Sequence, residues 1–432
     1  MRNRLADQFN YNVAPGPQHE PDIDQPSVPA DPLVRLIAYY LPQFHPTAEN
    51  DEWWGTGFTE WTNVTKTLPR FSGHYQPRLP GALGFYDLSY VDAIRRQAVL
   101  AKKYGIAGFC FYHYWFGGRA VLERPLQLLL DNPDIDLPFC LCWANENWTR
   151  TWDGSDKQVL LAQNHSAEDD IAFARSIEPA MRDPRYIRIG GRPLLMLYRP
   201  SILPDAAATV ARWREHFEAA GLGNPYIAMA QTHGDEDPRP YGMDAAVGFP
   251  PHGGTDVNRV DPAPPAYSSD FSGAILQYDA MASALASRRP TEYRFMPGVC
   301  PSWDNDSRRP GRGVTFHGST PAKYGSWLAA ACDYAMRGNP PEERVVLINA
   351  WNEWAEGAYL EPDRHFGYAY LAETARVLTG LPDDRQMRAR LDALPKPTPF
   401  RLITLVGGKL RSWAGAARNR RRAPAPSSGR RA

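Results

Sequence analysis

Residues 91–118 read VDAIRRQAVLAKKYG (91–105), IAGFCFYHY (106–114) and WFGG (115–118) in succession. The first piece spaces its apolar residues for one face of a helix. The second is an almost unbroken apolar run of strand length, and the third is an aromatic, glycine-containing loop. A strand that is apolar on both faces and follows directly on a helix belongs to a parallel sheet covered by helices.

Seven further runs of the same kind lie to either side: LVRLIAYYL (33–41), LPFCLCWA (137–144), PLLMLY (193–198), YIAMAQ (226–231), MDAAVGF (243–249), FMPGVC (295–300) and RVVLINAW (344–351). Helical patterns fall between most of them, at 167–182, 206–221 and 321–338. Eight parallel strands joined by helices predict an α/β fold of the (β/α)8 TIM-barrel type over 33–380, with extended loops at the C-terminal face. The connection between the fifth and sixth strands is short and shows no helical pattern. A doubly wound sheet would favour a glycine-rich phosphate turn after the first strand, whereas the sequence there is YYLPQFHP, without GxGxxG.

Forty-eight Lys and Arg balance forty-eight Asp and Glu over 432 residues. Nine of the basic residues and no acid lie in 401–432, leaving 1–400 with 39 basic against 48 acidic residues. An acidic body repels phosphate polymers, so nucleic acid is not an expected partner. The basic C-terminal tail, with its FRLITLVGGKLRSW stretch, invites peripheral contact with an anionic membrane surface. Residues 1–32 read as a flexible, Pro-rich lead-in, and 381–432 as an extension carrying the tail. The first residues do not resemble a secretory signal, no stretch is long and apolar enough to span a bilayer, and the five cysteines are odd in number and unpaired in spacing. These features suggest a cytoplasmic protein, at or near the inner face of the membrane.

Barrel chemistry collects on the loops after the strands' C-terminal ends. Ten of the thirteen tryptophans, at positions 53, 54, 61, 115, 143, 148, 152, 303, 351 and 354, lie in or beside those loops. Flat rings with polar edges stack on sugar C–H faces while nearby amides and carboxylates bind hydroxyls, so a carbohydrate is the expected ligand. Candidate binding residues are Tyr39, Tyr40, Trp54, Trp61, His113, Trp115, Trp143, Asn145, Glu146, Trp148, Gln231, Trp303, Asn352 and Trp354. Glu353 and Glu356, in INAWNEWAEG after the eighth strand, can point to one side of a turn. Two carboxylates, one protonated and one ionised, are what glycosidic bond cleavage commonly requires. Asp304 and Asp306 of SWDND could hold a cation but also suit a turn; neither a metal nor a cofactor is expected.

The segments RLIAYYLPQFHPTAENDEWWGTGFTEWTNV, GIAGFCFYHYWFGGR, LCWANENWTRTWDG and INAWNEWAEGAYLEPD, in that order, resemble the family 99-like domain of WbsX-type bacterial polysaccharide and O-antigen biosynthesis proteins. The resemblance covers roughly 34–380. It implies a (β/α)8 barrel similar to glycoside hydrolase family 99, the endo-α-mannosidase type, whose paired acids lie in an E-W-x-E run. Here that run is Glu353-Trp354-Ala355-Glu356. The resemblance implies that Glu353 is the base acting on the sugar's 2-hydroxyl and Glu356 the general acid/base. The long Trp-rich insert after the first strand and the NENW loop depart from those hydrolases, so their mannoside specificity does not carry over. Two other readings stay open: a glycosyltransferase using an activated sugar donor, and a barrel that binds glycan without catalysis.

Overall fold

The computed structural model describes residues 2–150, 155–254 and 259–381; those up to Leu381 form one compact unit. Eight parallel staves make the barrel: β1 (Arg35–Tyr40), β2 (Ile106–Phe116), β3 (Phe139–Trp143), β4 (Arg192–Leu197), β5 (Tyr226–Gln231), β6 (Ala245–Gly248), β7 (Arg294–Met296 and Gly298–Val299) and β8 (Val345–Ile348). They coincide with the eight predicted runs. Each stave pairs in parallel with its neighbour, and β8 returns to β1 with Val345 opposite Arg35. The ring closes through β7, which is in two pieces because Pro297 has no N–H to donate. Its first piece pairs with β6 and its second with β8, and the Pro297 carbonyl takes the Leu347 N–H at 2.9 Å. A Cβ on Gly298 would run into the Gly248 carbonyl, so bare backbone is what lets β6 and β7 approach.

Helices α2 (Val91–Lys103), α3 (Arg124–Asp131), α4 (Ala167–Arg182), α5 (Ala206–Ala219), α6 (Tyr278–Ala286), α7 (Pro321–Gly338) and α8 (Ala369–Gly380) cover the staves; a short helix, α1 (Arg2–Val13), precedes them. Side chains of Ser166, Asp205 and Thr320 accept the N–H groups of Asp169, Ala208 and Lys323, starting α4, α5 and α7. Only a 3₁₀ turn, Arg239–Tyr241, lies between β5 and β6, where no helical pattern was expected.

The lead-in differs from its sequence reading. Besides α1, the segment after it is tied to the loop before α8: Gly16 N donates to His365 O at 2.8 Å, and Glu20 pairs through its backbone with Phe366 and Tyr368. Ile23 N donates to the Tyr104 hydroxyl at 2.8 Å. A proline-rich stretch without apolar periodicity can still be held by its own backbone groups, a pattern that composition does not reveal. The basic tail lies outside the described residues. Among the described residues no helix is long and apolar enough to cross a membrane.

Candidate active site

The chain leaving β8 makes a tight hairpin in which Asn352–Glu353 pairs antiparallel with Ala358–Tyr359, around a 3₁₀ turn at Trp354–Glu356. Gly357 closes the turn in the left-handed region at φ +61°, and a Cβ there would meet Arg78 Cζ and Asp304 Cβ at 3.0 Å each. Gly357→Ala therefore has to strain both backbone and packing; we expect a loss of roughly 1–3 kcal/mol, read as a lower urea midpoint. An unchanged midpoint would refute this role.

The hairpin is sewn to β1. Asn352 imitates a backbone unit, accepting from Leu41 N at 2.7 Å and donating to Leu41 O at 2.9 Å. Trp351 N donates to Tyr39 O at 2.8 Å. Beneath it Trp354 stacks on Tyr359 at 3.8 Å between ring centroids and donates to the Glu361 carboxylate at 2.6 Å. Gln97 Nε2 and the Tyr86 hydroxyl also donate to Glu361, at 2.7 and 2.8 Å, and burial pushes its carboxyl up to about 7 against these bonds. Tyr40 donates to Gln97 at 2.8 Å, and Trp61 donates to Tyr86 O at 2.8 Å. Four expected sugar contacts, Tyr40, Trp61, Asn352 and Trp354, thus hold the hairpin from behind.

Glu353 and Glu356 share one guanidinium. Arg308, in the loop after β7, reaches Glu353 Oε2 with Nη2 at 3.0 Å and Glu356 Oε1 with Nη1 at 2.5 Å. Its Nε binds Glu60 Oε1 at 2.9 Å; Glu60 is fully buried and its Oε2 has no partner. Three carboxylates from the loops after β1 and β8 therefore converge on one cation. Burial pushes the Glu353 carboxyl up to about 8, outweighing the pull of Arg308, with Glu356 and Glu60 adding to the rise. Glu356 is raised for the same reason. Burial opposes the charge on Arg308, but the three acids outweigh it and keep the guanidinium protonated.

Glu353 and Arg308 form one wall of a cavity of about 230 Å³; Trp53, Trp54, Tyr114 and Trp148 supply its aromatic lining. Trp148 meets Trp53 and Tyr114 edge-on at 5.8 and 5.1 Å. Glu146 also lines the cavity, held by Arg199 at 2.7 Å and near His233 at 3.5 Å. Asn50, also lining it, is fully buried with both amide atoms unpartnered.

Of the predicted residues the structure brings Trp54, Glu146, Trp148, Glu353 and Glu356 together. His113, Trp115 and Trp143 face the other way: Trp115 donates to Asp169 of α4 at 3.0 Å, and Trp143 stacks on Phe173 at 4.5 Å. His113 packs near Phe173, and burial lowers it to about 4, keeping the ring neutral. The intervening residues of β2 point inward: Tyr112 stacks on Tyr39 at 5.5 Å, and Tyr114 reaches the cavity. Tyr39 is fully buried in the barrel with its hydroxyl unpartnered. Asn145 exchanges two hydrogen bonds with the Arg199 backbone, at 2.8 and 2.9 Å. Gln231 binds Glu236 O and Arg288 and lines a second cavity between α6 and α7. Trp303 is half-buried and lines neither cavity. Asp304 takes His74 at 2.7 Å and Gln76 at 2.9 Å, and Asp306 takes Arg70 at 2.8 Å, so protein donors fill the SWDND acids as in an ordinary turn.

Sequence reasoning missed Glu60 and Arg308. Glu60 sits in FTEW, an acid before a tryptophan like Glu353, and Arg308 lies two residues beyond PSWDND on the same rim.

The protein is similar to a solved structure titled "Glycoside hydrolase-like protein", at 16% identity and a TM-score of 0.54, covering 84% of this chain and 98% of that one. That likeness shows the fold. An endo-alpha-mannosidase of family GH99 from Bacteroides thetaiotaomicron aligns at 16% identity with a TM-score of 0.48, over 83% of this chain and 98% of its own. In sequence the chain is 49% identical over 348 residues to uncharacterized protein WxcX of two strains of Xanthomonas campestris pv. campestris, covering 81% of this chain. It spans about half the length of those curated relatives. The family model described as glycosyltransferase WbsX matches residues 36–374, and the chain belongs to that family.

Proposed function

We propose that the protein is a carbohydrate-active enzyme acting on glycosidic bonds of a bacterial surface polysaccharide or O-antigen precursor, with Glu353 and Glu356 as its acid/base pair. The observation that carries the reading is the clamp: two glutamates three residues apart on a rigid hairpin, bridged by Arg308 at the wall of a tryptophan-lined cavity. Three acids facing one cation retain a proton near neutral pH, so one carboxyl can protonate a leaving oxygen while another stays ionised. The resemblance to family 99 assigns the acid/base role to Glu356 and the 2-hydroxyl base to Glu353, which acts as base only once it has released the proton that burial holds on it up to about pH 8. A sugar ring stacked among Trp54, Trp148 and Tyr114 would lie beside Glu353, with the Asn50 amide offering a donor and an acceptor to its hydroxyls.

The test is product analysis by mass spectrometry. Wild type and Glu356→Gln are incubated with mannose- and rhamnose-containing oligosaccharides, with and without nucleotide-sugars. Shortened chains from wild type alone support hydrolysis. Lengthened chains that require the nucleotide-sugar establish transfer from an activated donor instead. Binding without turnover by wild type, across a panel it demonstrably binds, would reduce the barrel to a glycan-binding role.

A further inference from the structure

Where β5 passes to β6 the outer layer has only a 3₁₀ turn, and α6, which follows β6, is nine residues long against eighteen for α7. Between α6, α7 and the seam of β6 with β7 this short cover leaves a cavity of about 350 Å³. Leu285 of α6, Phe295 of β7, and Trp327, Ala330, Ala331 and Tyr334 of α7 give it an apolar wall. Its charged and amide groups come from the end of β5, the turn after it and Arg288, and several are engaged with one another. Gln231 takes Arg288 Nη1 on its Oε1 at 2.5 Å and gives its Nε2 to Glu236 O at 2.8 Å. Asp235 accepts from the Tyr241 hydroxyl at 2.8 Å and from Ser201 N at 3.2 Å. The Arg288 guanidinium lies over the Phe295 ring at 4.1 Å. His252 meets the Tyr198 hydroxyl at 3.3 Å, and burial lowers it to about 4, so its ring is neutral. A hexose in this cavity would find few free partners for its hydroxyls, whereas an apolar group would leave water for a wall of rings and aliphatic side chains.

The cavity adjoins the candidate active site. Glu146 lines the cavity that holds Trp53, Trp54 and Trp148, His233 lines this one, and the two side chains are 3.5 Å apart. His233 sits on left-handed backbone at φ +52°, a conformation uncommon outside glycine. At this point one pair of polar side chains lies between a cavity fit for a sugar and a cavity fit for an apolar group.

We propose that the second cavity binds an aliphatic chain carried on the saccharide whose sugar occupies the first. The chain portion stands on this cavity alone, and the saccharide portion rests on the carbohydrate reading of the Glu353–Glu356 site. The substrate class is then an amphipathic glycoside, its polar part beside Glu353 and its apolar part between α6 and α7.

Calorimetric titration of the full chain with octyl α-D-mannopyranoside below its micelle concentration, with methyl α-D-mannopyranoside and with octan-1-ol tests it. The octyl glycoside is expected to bind wild type at least tenfold more tightly than the methyl glycoside, because its added methylenes are buried. Ala284, an exposed residue of α6 on the cavity wall, is the place to block it. Ala284→Trp should weaken the octyl glycoside at least fivefold and leave the methyl glycoside unchanged, and an exposed helical position carries the ring without disturbing the core. Equal affinity of the octyl and methyl glycosides in wild type, or an octyl advantage undiminished in Ala284→Trp, overturns the proposal. Octan-1-ol bound as tightly as the octyl glycoside overturns the link between chain and saccharide. An octyl advantage that Ala284→Trp removes, in a protein inactive on every oligosaccharide it binds, supports the chain site and counts against the enzymatic reading alone.

Discussion

Glu353→Gln is expected to lower turnover by roughly 10³-fold, the scale of a lost acid/base group, and at the same time to raise stability at pH 8. Glu356→Gln should lose turnover to a similar degree, because both acids hang on one guanidinium. The stability gain follows from the direction of the shift. Burial lifts the folded-state Glu353 carboxyl to about 8, whereas an unfolded glutamate titrates near 4.3. Between those values the native state holds a proton that the unfolded chain has released, so this group's contribution is full below about pH 4 and falls away as pH rises toward 8. A neutral amide of the same shape removes that loss. Wild type should therefore melt lower at pH 8 than at pH 5 by more than Glu353→Gln does, and the variant should be the more stable protein at pH 8 by roughly 1–3 kcal/mol. Scanning calorimetry at the two pH values, paired with the product assay, checks both halves. An active Glu353→Gln would overturn the proposed catalytic role of Glu353, and a variant less stable than wild type at pH 8 would mean that the Arg308 pairing outweighs burial.

Arg308→Met should act in the opposite sense on stability. The guanidinium is the shared partner of Glu60, Glu353 and Glu356, and removing one side of a buried ion pair costs about 3–5 kcal/mol because the remaining charge is left uncompensated. The loss should be larger at pH 8 than at pH 5, since the acids whose pKa values are raised protonate as pH falls and then need the cation less. Glu60→Gln in the Arg308→Met background should recover part of it, a coupling that a double-mutant cycle by urea denaturation measures. Equal losses at the two pH values, with no rescue by Glu60→Gln, would show that Arg308 acts through packing and not through its charge.

Glu60 and Arg308 also show where sequence reading stops. The acids of NEW and FTEW are 293 residues apart in number, and nothing in their spacing says that they meet. Arg308 follows an Asp-rich turn and reads as an ordinary surface cation, yet β7 delivers it to both. The tryptophan count pointed to an aromatic rim, but the rings divide. Trp53, Trp54 and Trp148 line the cavity, while Trp61 and Trp354 pack beneath the hairpin and Trp115 and Trp143 against α4. In β2 the division is a matter of parity. Side chains alternate across a strand, so choosing His113 and Trp115 over Tyr112 and Tyr114 inverted the face, and an all-apolar run carries no alternation to warn of it.

What the sequence determined by itself is the architecture: eight runs apolar on both faces, separated by helical periods and caps, leave a closed parallel barrel as the arrangement that buries them all. It also determined the acidic pair, because Glu353 and Glu356 are neighbours on one turn and local geometry alone sets them together. Tertiary structure decided the rest: which ring lines the cavity, which amide serves as a backbone brace, and which distant cation clamps the acids. Those properties depend on where separate loops end in space once the barrel has closed, and burial there shifts the carboxyls in a way that no stretch of chain expresses alone.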